Sequence, residues 1–371
     1  MDIEEKIKII QEKPVEEVLT IENLRHLLEI GVPLQHYIGF EISGIPHIGA
    51  TIMQALVIRN LQRIGVKCRL FLADWHSWIN NKLGGDIDFI QKVARKFFGS
   101  VLLDAIDLVG GNSEKVDIIL GSELYSCNDE YWRLVIDISK NLTLNKVKKS
   151  ISIAGRKEGE SVSFAILIYP PMQVADIFEL ESHIAHAGTD QRKAHVLAIE
   201  LFNKVSKPLK YKDEILKPVA IHHHLVMGLQ KPSFIPQNEE ELKALKAEMK
   251  MSKSKPDSAI FVTDNEEDIR RKIRNAFCPE KDIRYNPVLD WVEYLVFTTS
   301  KEFIIERPEK FGGTIVYNSF EELKKDFKEG KLHPLDLKNA LTDYLIEFLK
   351  PLYKKYKEHE LVKEIKNKIS R

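Results

Sequence analysis

The chain has 371 residues, 44% of them hydrophobic, and 55 basic side chains balance 55 acidic ones to a formal charge of zero. That is enough apolar material for a substantial core and two domains. The balance excludes a global field drawing the chain to nucleic acid or to a membrane surface, so any RNA contact is local. No apolar run approaches membrane-spanning length. Cys68, Cys127 and Cys278 are widely separated and form no CxxC pair, which argues against a structural zinc site or disulfide framework and for a reducing compartment. The acidic start, Met-Asp-Ile-Glu-Glu, lacks the apolar centre of a signal peptide, and a cytoplasmic location is expected.

In chain order, residues 3 to 31 read as two helices, with Leu24, Leu27 and Leu28 at helical spacing and Gly31-Val-Pro33 ending the second. A strand is expected at 36 to 41. A Ser, Gly, Pro turn follows and enters a helix from His47 to about Ile64, stopped at Gly65. The near-continuous apolar run 67 to 73 fits a parallel strand covered on both faces. Further strands are expected at 116 to 120, 183 to 187 and 218 to 222, separated by helical pattern, including 129 to 154 and 165 to 180. This alternation predicts an α/β fold with a Rossmann-like doubly wound parallel sheet, followed by a mainly helical C-terminal domain from residue 263. Residues 230 to 249 read as a connecting insertion carrying a charged helix.

Three stretches carry chemistry. The turn within Tyr37-Ile-Gly-Phe-Glu-Ile-Ser-Gly-Ile-Pro-His-Ile-Gly-Ala50 opens a helix, where unpaired amides and the dipole favour an anion, and His47 adds a donor. Gly49 lets a nucleotide approach closely. Tyr169, Gln173 and Asp176 share one face of a helix that is apolar nearly all round, so its buried polar groups need partners that a polar ligand supplies. The loop Lys250-Met-Ser-Lys-Ser254 places two ammonium groups beside two hydroxyls, a composition suited to closing on phosphates. Ile221-His-His-His-Leu225 does not read as a metal site, because consecutive strand residues point to opposite faces.

In combination these motifs resemble the class I aminoacyl-tRNA synthetases, and among them the tyrosyl-tRNA synthetases of the archaeal and eukaryotic type. The resemblance runs from Tyr37 to His333-Pro-Leu-Asp-Leu-Lys-Asn339. It implies activation of L-tyrosine with Mg2+-ATP and transfer to tRNA(Tyr), by a homodimer whose two subunits the tRNA bridges, with no resident structural metal and no membrane partner. It also implies a catalytic domain over 1–262, with a dimer and acceptor-stem insertion at about 125–165, and an anticodon-binding domain over 263–371. By the same resemblance His47, Lys250 and Lys253 are catalytic. Tyr37, Tyr169, Gln173, Asp176 and Gln191 bind tyrosine, and Glu41, Gly49, Gly188, Asp190, Ser252 and Ser254 bind ATP. Lys149, Arg192, Phe311 and Asp336 contact tRNA, Phe311 by stacking and Asp336 by pairing with the first anticodon base.

From the residues alone, Phe311 filling a core gap and Asp336 capping the following helix are the competing readings. One departure stands out: Ala50 replaces the second histidine with which the family's first motif usually ends, a loss on the order of 3 kcal/mol in transition-state stabilisation. That departure favours a catalytically silent tRNA-binding relative. The tyrosine pocket and the lysine loop favour the enzyme. A tryptophan enzyme of the same fold is the other alternative, and it is not expected to carry the Tyr37 and Asp176 pair.

Overall fold

The structure, a computed structural model, describes residues 1–156, 160–251 and 255–369. It divides into two compact units, one of residues 1–44, 54–224 and 363–371, the other of residues 45–53 and 225–362. These units do not coincide with the division expected at 262/263.

The first unit is built on a six-stranded sheet. Its strands in chain order are β1 (Val15–Leu19), β2 (Gln35–Phe40), β3 (Lys67–Leu72), β4 (Val116–Leu120), β5 (Ile184–Gly188) and, after a small hairpin of β6 (Leu209–Tyr211) and β7 (Glu214–Leu216), β8 (Val219–His223). The spatial order is β1-β8-β5-β2-β3-β4, parallel throughout except for β1, which pairs antiparallel with β8. All five residues of β5 and of β8 are buried, as strands covered on both faces must be. The chain progresses from β2 outward through β3 and β4, then returns to place β5 on the other side of β2. That reversal is the topological switch point, where ligands bind at the carboxyl ends of the strands.

The expected strands are found within one residue of their bounds, and β1 and the hairpin strands β6 and β7 are additions that the sequence hid. Val15-Glu-Glu-Val-Leu19 reads as helix yet forms β1, because Glu17 and Glu16 find buried partners on and just after β8: Glu17 Oε2 lies 2.8 Å from His222 Nδ1, and Glu16 Oε1 lies 2.6 Å from His224 Nδ1. A tertiary pairing overrides the local pattern.

The second unit is mainly helical, as expected. Its helices include Glu239–Met249, Glu266–Asn275, Phe320–Glu329 and the 23-residue Pro334–Tyr356, with one hairpin of β9 (Phe303–Ile305) and β10 (Ile315–Tyr317). Asn238, Asn265 and Ser319 each accept a first-turn amide from their helix, which fixes where these helices begin. Helix Glu266–Asn275 packs on Pro334–Tyr356, joined by Arg270 to Asp343 at 3.0 Å and by the Lys338 ammonium on the Arg274 carbonyl at 3.0 Å.

Candidate active site

The first unit gathers a polar cluster at its switch point. Tyr37, on β2, is 2% exposed and its ring meets Phe71 of β3 at 5.8 Å. A Cβ at Gly39, two residues on along the same face, would lie 2.8 Å from the Tyr37 hydroxyl, so the glycine makes room for that phenol. Asp176, from helix Tyr169–Glu179, is 1% exposed. Its Oδ1 accepts hydrogen bonds from the hydroxyls of Tyr125 at 3.0 Å and Tyr131 at 2.9 Å. Its Oδ2 has no hydrogen-bond partner among the described residues, and neither has Nε2 of His76, 3.8 Å away. Burial pushes the Asp176 carboxyl up to about 8 against the pull of the two phenols, and it pushes His76 down to about 3, which keeps that imidazole neutral. Burial also holds the Tyr37, Tyr125, Tyr131 and Tyr169 phenols far above their usual range, so all four remain protonated.

Around this core, Tyr169 lies edge-on to His76, with ring centroids 4.4 Å apart, and donates to Glu41 Oε1 at 3.1 Å. Glu41 also accepts from Asn80 at 2.8 Å and pairs with Lys82 at 3.2 Å. Gln173 donates to Gln191 at 3.3 Å, and Gln191 to the Ile153 carbonyl at 3.0 Å, while Gln173 Oε1 is buried with no partner among the described residues. Tyr37, Tyr169, Gln173, Asp176 and Gln191 belong to one compact unit. His76, Asn80, Tyr125 and Tyr131 were missed. His76 and Asn80 follow the carboxyl end of β3, where this layout places ligands, so a strand-end signal for them existed. Tyr125 and Tyr131 lie in ordinary helical pattern without one.

Beyond β5, Gly188 ends the strand, and Asp190 and Gln191 lie in the 3-10 turn Thr189–Gln191 that leads into helix Arg192–Leu201. Arg192, expected on tRNA, lies against Glu17 of β1, with Nε at 3.0 and 2.9 Å from the two carboxylate oxygens. Adjacent histidines of β8 do point to opposite faces. His223 hydrogen-bonds with His186 at 2.8 Å and His186 with His36 at 3.0 Å, while His222 hydrogen-bonds with His195 at 3.0 Å and with Glu17. Among the described residues no group of three or more His, Cys, Asp or Glu is placed to hold a metal ion.

In the second unit, His47 precedes helix Ile48–Arg63, and its Nδ1 accepts the Ala50 amide at 3.2 Å. A neutral ring so engaged carries its proton on Nε2. The Ile48 amide donates to the Ile260 carbonyl at 2.9 Å, and Val262 donates to Pro46 at 3.2 Å. The first-turn amides expected to await an anion are therefore partly paired in this conformation: Ala50 contributes its N–H to the histidine that precedes it. A Cβ at Gly49 would come within 3.0 Å of Met251 Sδ and 3.3 Å of His47 Nδ1, so this turn and the start of the lysine loop are closely apposed. Lys250 forms an isolated bridge with Met227, and Met251 donates to the Val226 carbonyl at 3.2 Å. Ser252, Lys253 and Ser254 lie outside the described residues.

Phe311 is 60% exposed, on a 3-10 turn closed by Gly312 and Gly313 at positive φ. It fills no core gap. The cap of helix Pro334–Tyr356 is His333, whose Nδ1 accepts the Leu335 amide at 3.1 Å, so Asp336 is not the capping group. Lys149 is exposed and lends its carbonyl to the Lys193 ammonium at 2.7 Å. In the first unit, Lys368 of the last helix, Glu360–Ile369, pairs with Asp86 at 2.9 Å.

The family model described as tRNA synthetases class I (W and Y) matches residues 30–350. The tyrosine–tRNA ligase of Pyrococcus furiosus is 59% identical over 98% of this chain and 99% of its own length, and that of Thermococcus kodakarensis is 58% identical over 99% of each. The crystal structure of tyrosyl-tRNA synthetase complexed with L-tyrosine from Pyrococcus horikoshii superposes with a TM-score of 0.95 at 56% identity, covering 99% of this chain and all of that one. The chain belongs to the class I tRNA synthetases of the tryptophan and tyrosine family.

Proposed function

We propose that the chain is a tyrosine–tRNA ligase. L-tyrosine attacks the α-phosphate of Mg2+-ATP to give tyrosyl-adenylate and pyrophosphate, and a hydroxyl of the terminal ribose of tRNA(Tyr) then takes the tyrosyl group, releasing AMP. The carrying observation is Asp176, a buried carboxylate with one oxygen held by two phenols and the other without a partner among the described residues. A substrate phenol, able both to donate and to accept, supplies the missing hydrogen-bond partner of Oδ2, and phenylalanine leaves that oxygen unsatisfied at the cost of a buried polar group. Tyr37 is the second contact to that phenol, and Tyr169, Gln173 and Gln191 hold the ammonium and carboxylate end.

Catalysis here rests on positioning and charge stabilisation rather than on a covalent nucleophile. His47, through Nε2–H, meets the α-phosphate. Lys250 and Lys253 meet the departing pyrophosphate, with Ser252 and Ser254 as donors. Gly49 and Gly188 make room for the nucleotide, Asp190 holds the ribose, and Glu41 lines the ATP site. Ala50 forgoes one side-chain donor, but its amide orients His47, which supports an active enzyme over a silent tRNA binder.

The functional domains of this reading are a catalytic one over 1–262, with its dimer and acceptor-stem insertion at about 125–165, and an anticodon-reading one over 263–371. In the latter the exposed Phe311 stacks on a base and Asp336 selects one. Lys149 and Arg192 meet tRNA phosphates in a cytoplasmic homodimer. Charging of tRNA(Tyr) with labelled tyrosine tests the reading: the wild type charges and Asp176→Ala does not. Charging by Asp176→Ala at the wild-type rate would remove its basis.

A further inference from the structure

The two phenols behind Asp176 do more than fill space. Apolar packing at both positions would be met by phenylalanine, yet both hydroxyls converge on one oxygen of one carboxylate, at 3.0 and 2.9 Å. The rings are buried and stacked on each other at 4.5 Å between centroids, with Trp75 braced against Tyr125 at 5.6 Å and Trp132 against Tyr131 at 5.3 Å. The Tyr131 backbone is fixed too, because its amide donates to the capping side chain of Asn128 at 3.0 Å. Each hydroxyl has one longer second contact, Tyr125 with His76 Nδ1 at 3.5 Å and Tyr131 with the Met172 carbonyl at 3.4 Å, and the shorter bond of each is the one to Asp176 Oδ1. Oδ1 is occupied by two donors, and Oδ2 is buried without a partner among the described residues.

We infer that Tyr125 and Tyr131 are positioning residues that set amino-acid specificity: by occupying Oδ1 they fix the rotation of the Asp176 carboxylate and reserve Oδ2 for the substrate's phenol. This rests on the tyrosine-activating reading above. The physical reason is asymmetry. Two donors on the same oxygen favour the ionised carboxylate and remove the alternative in which either oxygen serves either partner. Without them the carboxyl turns or is held more fully in its protonated form, Oδ2 no longer meets the substrate's phenol, and the advantage of tyrosine over phenylalanine shrinks.

The test is amino-acid-dependent pyrophosphate exchange into ATP for the wild type, Tyr125→Phe and Tyr131→Phe, with melting curves for each. Exchange by the wild type with tyrosine is the check on the underlying reading, and its absence would overturn that reading rather than the role of the two phenols. Given wild-type exchange, each variant is expected to raise the KM for tyrosine about 10- to 100-fold with little change in kcat, the loss of a hydrogen bond to a charged group. kcat/KM for phenylalanine changes by less than about threefold, so discrimination falls. The acid limb of kcat/KM for tyrosine also moves to higher pH, a shift that a packing role alone would not produce. A variant that melts near the wild type yet keeps its tyrosine-to-phenylalanine ratio and its pH limb overturns the inference, as does an equal loss for both amino acids. The two single variants are independent, so one that fails to fold leaves the other to decide.

Discussion

Replacing Lys272 with methionine should expose how the His47 turn is held. The Lys272 side chain is 4% exposed, donates to the Ala259 carbonyl at 2.9 Å, pairs with Asp264, and lies 4.9 Å from the centre of the Phe261 ring. Asp264, 13% exposed, also accepts the Phe261 amide at 3.0 Å, and burial pushes its carboxyl above the usual range against the pull of Lys272. Residues 260 and 262 between these anchors are the backbone partners of Ile48 and Pro46. Methionine keeps the stem's packing but strands a largely buried carboxylate. Breaking a buried pair from one side costs about 3 to 5 kcal/mol, and the remaining exposure of Asp264 places this case near ~3 kcal/mol. Denaturant unfolding at pH 7 measures it, and tyrosine-dependent exchange should fall as the His47 turn loosens. The double variant Asp264→Asn with Lys272→Met, which leaves no charge behind, should recover at least half of the lost stability. A loss below ~1 kcal/mol for Lys272→Met, the range of an exposed pair, would refute the reasoning.

His47→Ala removes both the acceptor of the Ala50 amide and the donor to the α-phosphate. It should cost ~1 kcal/mol of stability and lower kcat about 10²- to 10³-fold, with His47→Asn recovering stability but not kcat; unchanged adenylate formation would contradict the assignment. The histidine strings predict acid lability. Burial pushes His36 down to about 3 and His223 to about 4, and lowers His186 and His195 as well. These rings are neutral when folded and charge on unfolding, so their stabilisation is full above about 6.5 and is lost as pH falls toward 4, by ~2 kcal/mol for each of the first two at pH 5. Asp176, held near 8, acts in the opposite sense over the same window. The clean measurement is therefore unfolding of Asp176→Asn at pH 7 and 5, where equal stabilities would contradict the account. Phe311→Ala should raise the KM for tRNA in charging, by the ~1 to 3 kcal/mol of one stacked base, while tyrosine activation without tRNA is unchanged; an equal loss in both assays would place Phe311 in the fold instead.

The fold was legible where one signal dominated. Val116–Leu120 and its neighbours announce themselves as short β-branched or apolar runs between helical stretches, and the alternation implies the sheet. β1 was not legible, because Glu16 and Glu17 are stabilised by histidines some two hundred residues away and no local pattern encodes that pairing. For the same reason the run His222-His-His224 suggested a metal site to be argued away, when its partners are His186, His195 and two glutamates. In the site, Asp176 and Gln173 could be picked out because they are polar groups in apolar surroundings, whereas Tyr37 came only from the family resemblance. Tyr125 and Tyr131 could not, since a tyrosine in helical pattern reads the same whether its hydroxyl meets water or a buried carboxylate. Arg192 was legible as a cation at a helix start, but not as the partner of Glu17.

The most direct test of the central claim is exchange of labelled pyrophosphate into ATP by the purified chain with tyrosine, tryptophan, phenylalanine or no amino acid. Exchange with tyrosine alone is expected. Exchange with tryptophan, or none with any amino acid from folded protein that still binds tRNA, would contradict that claim.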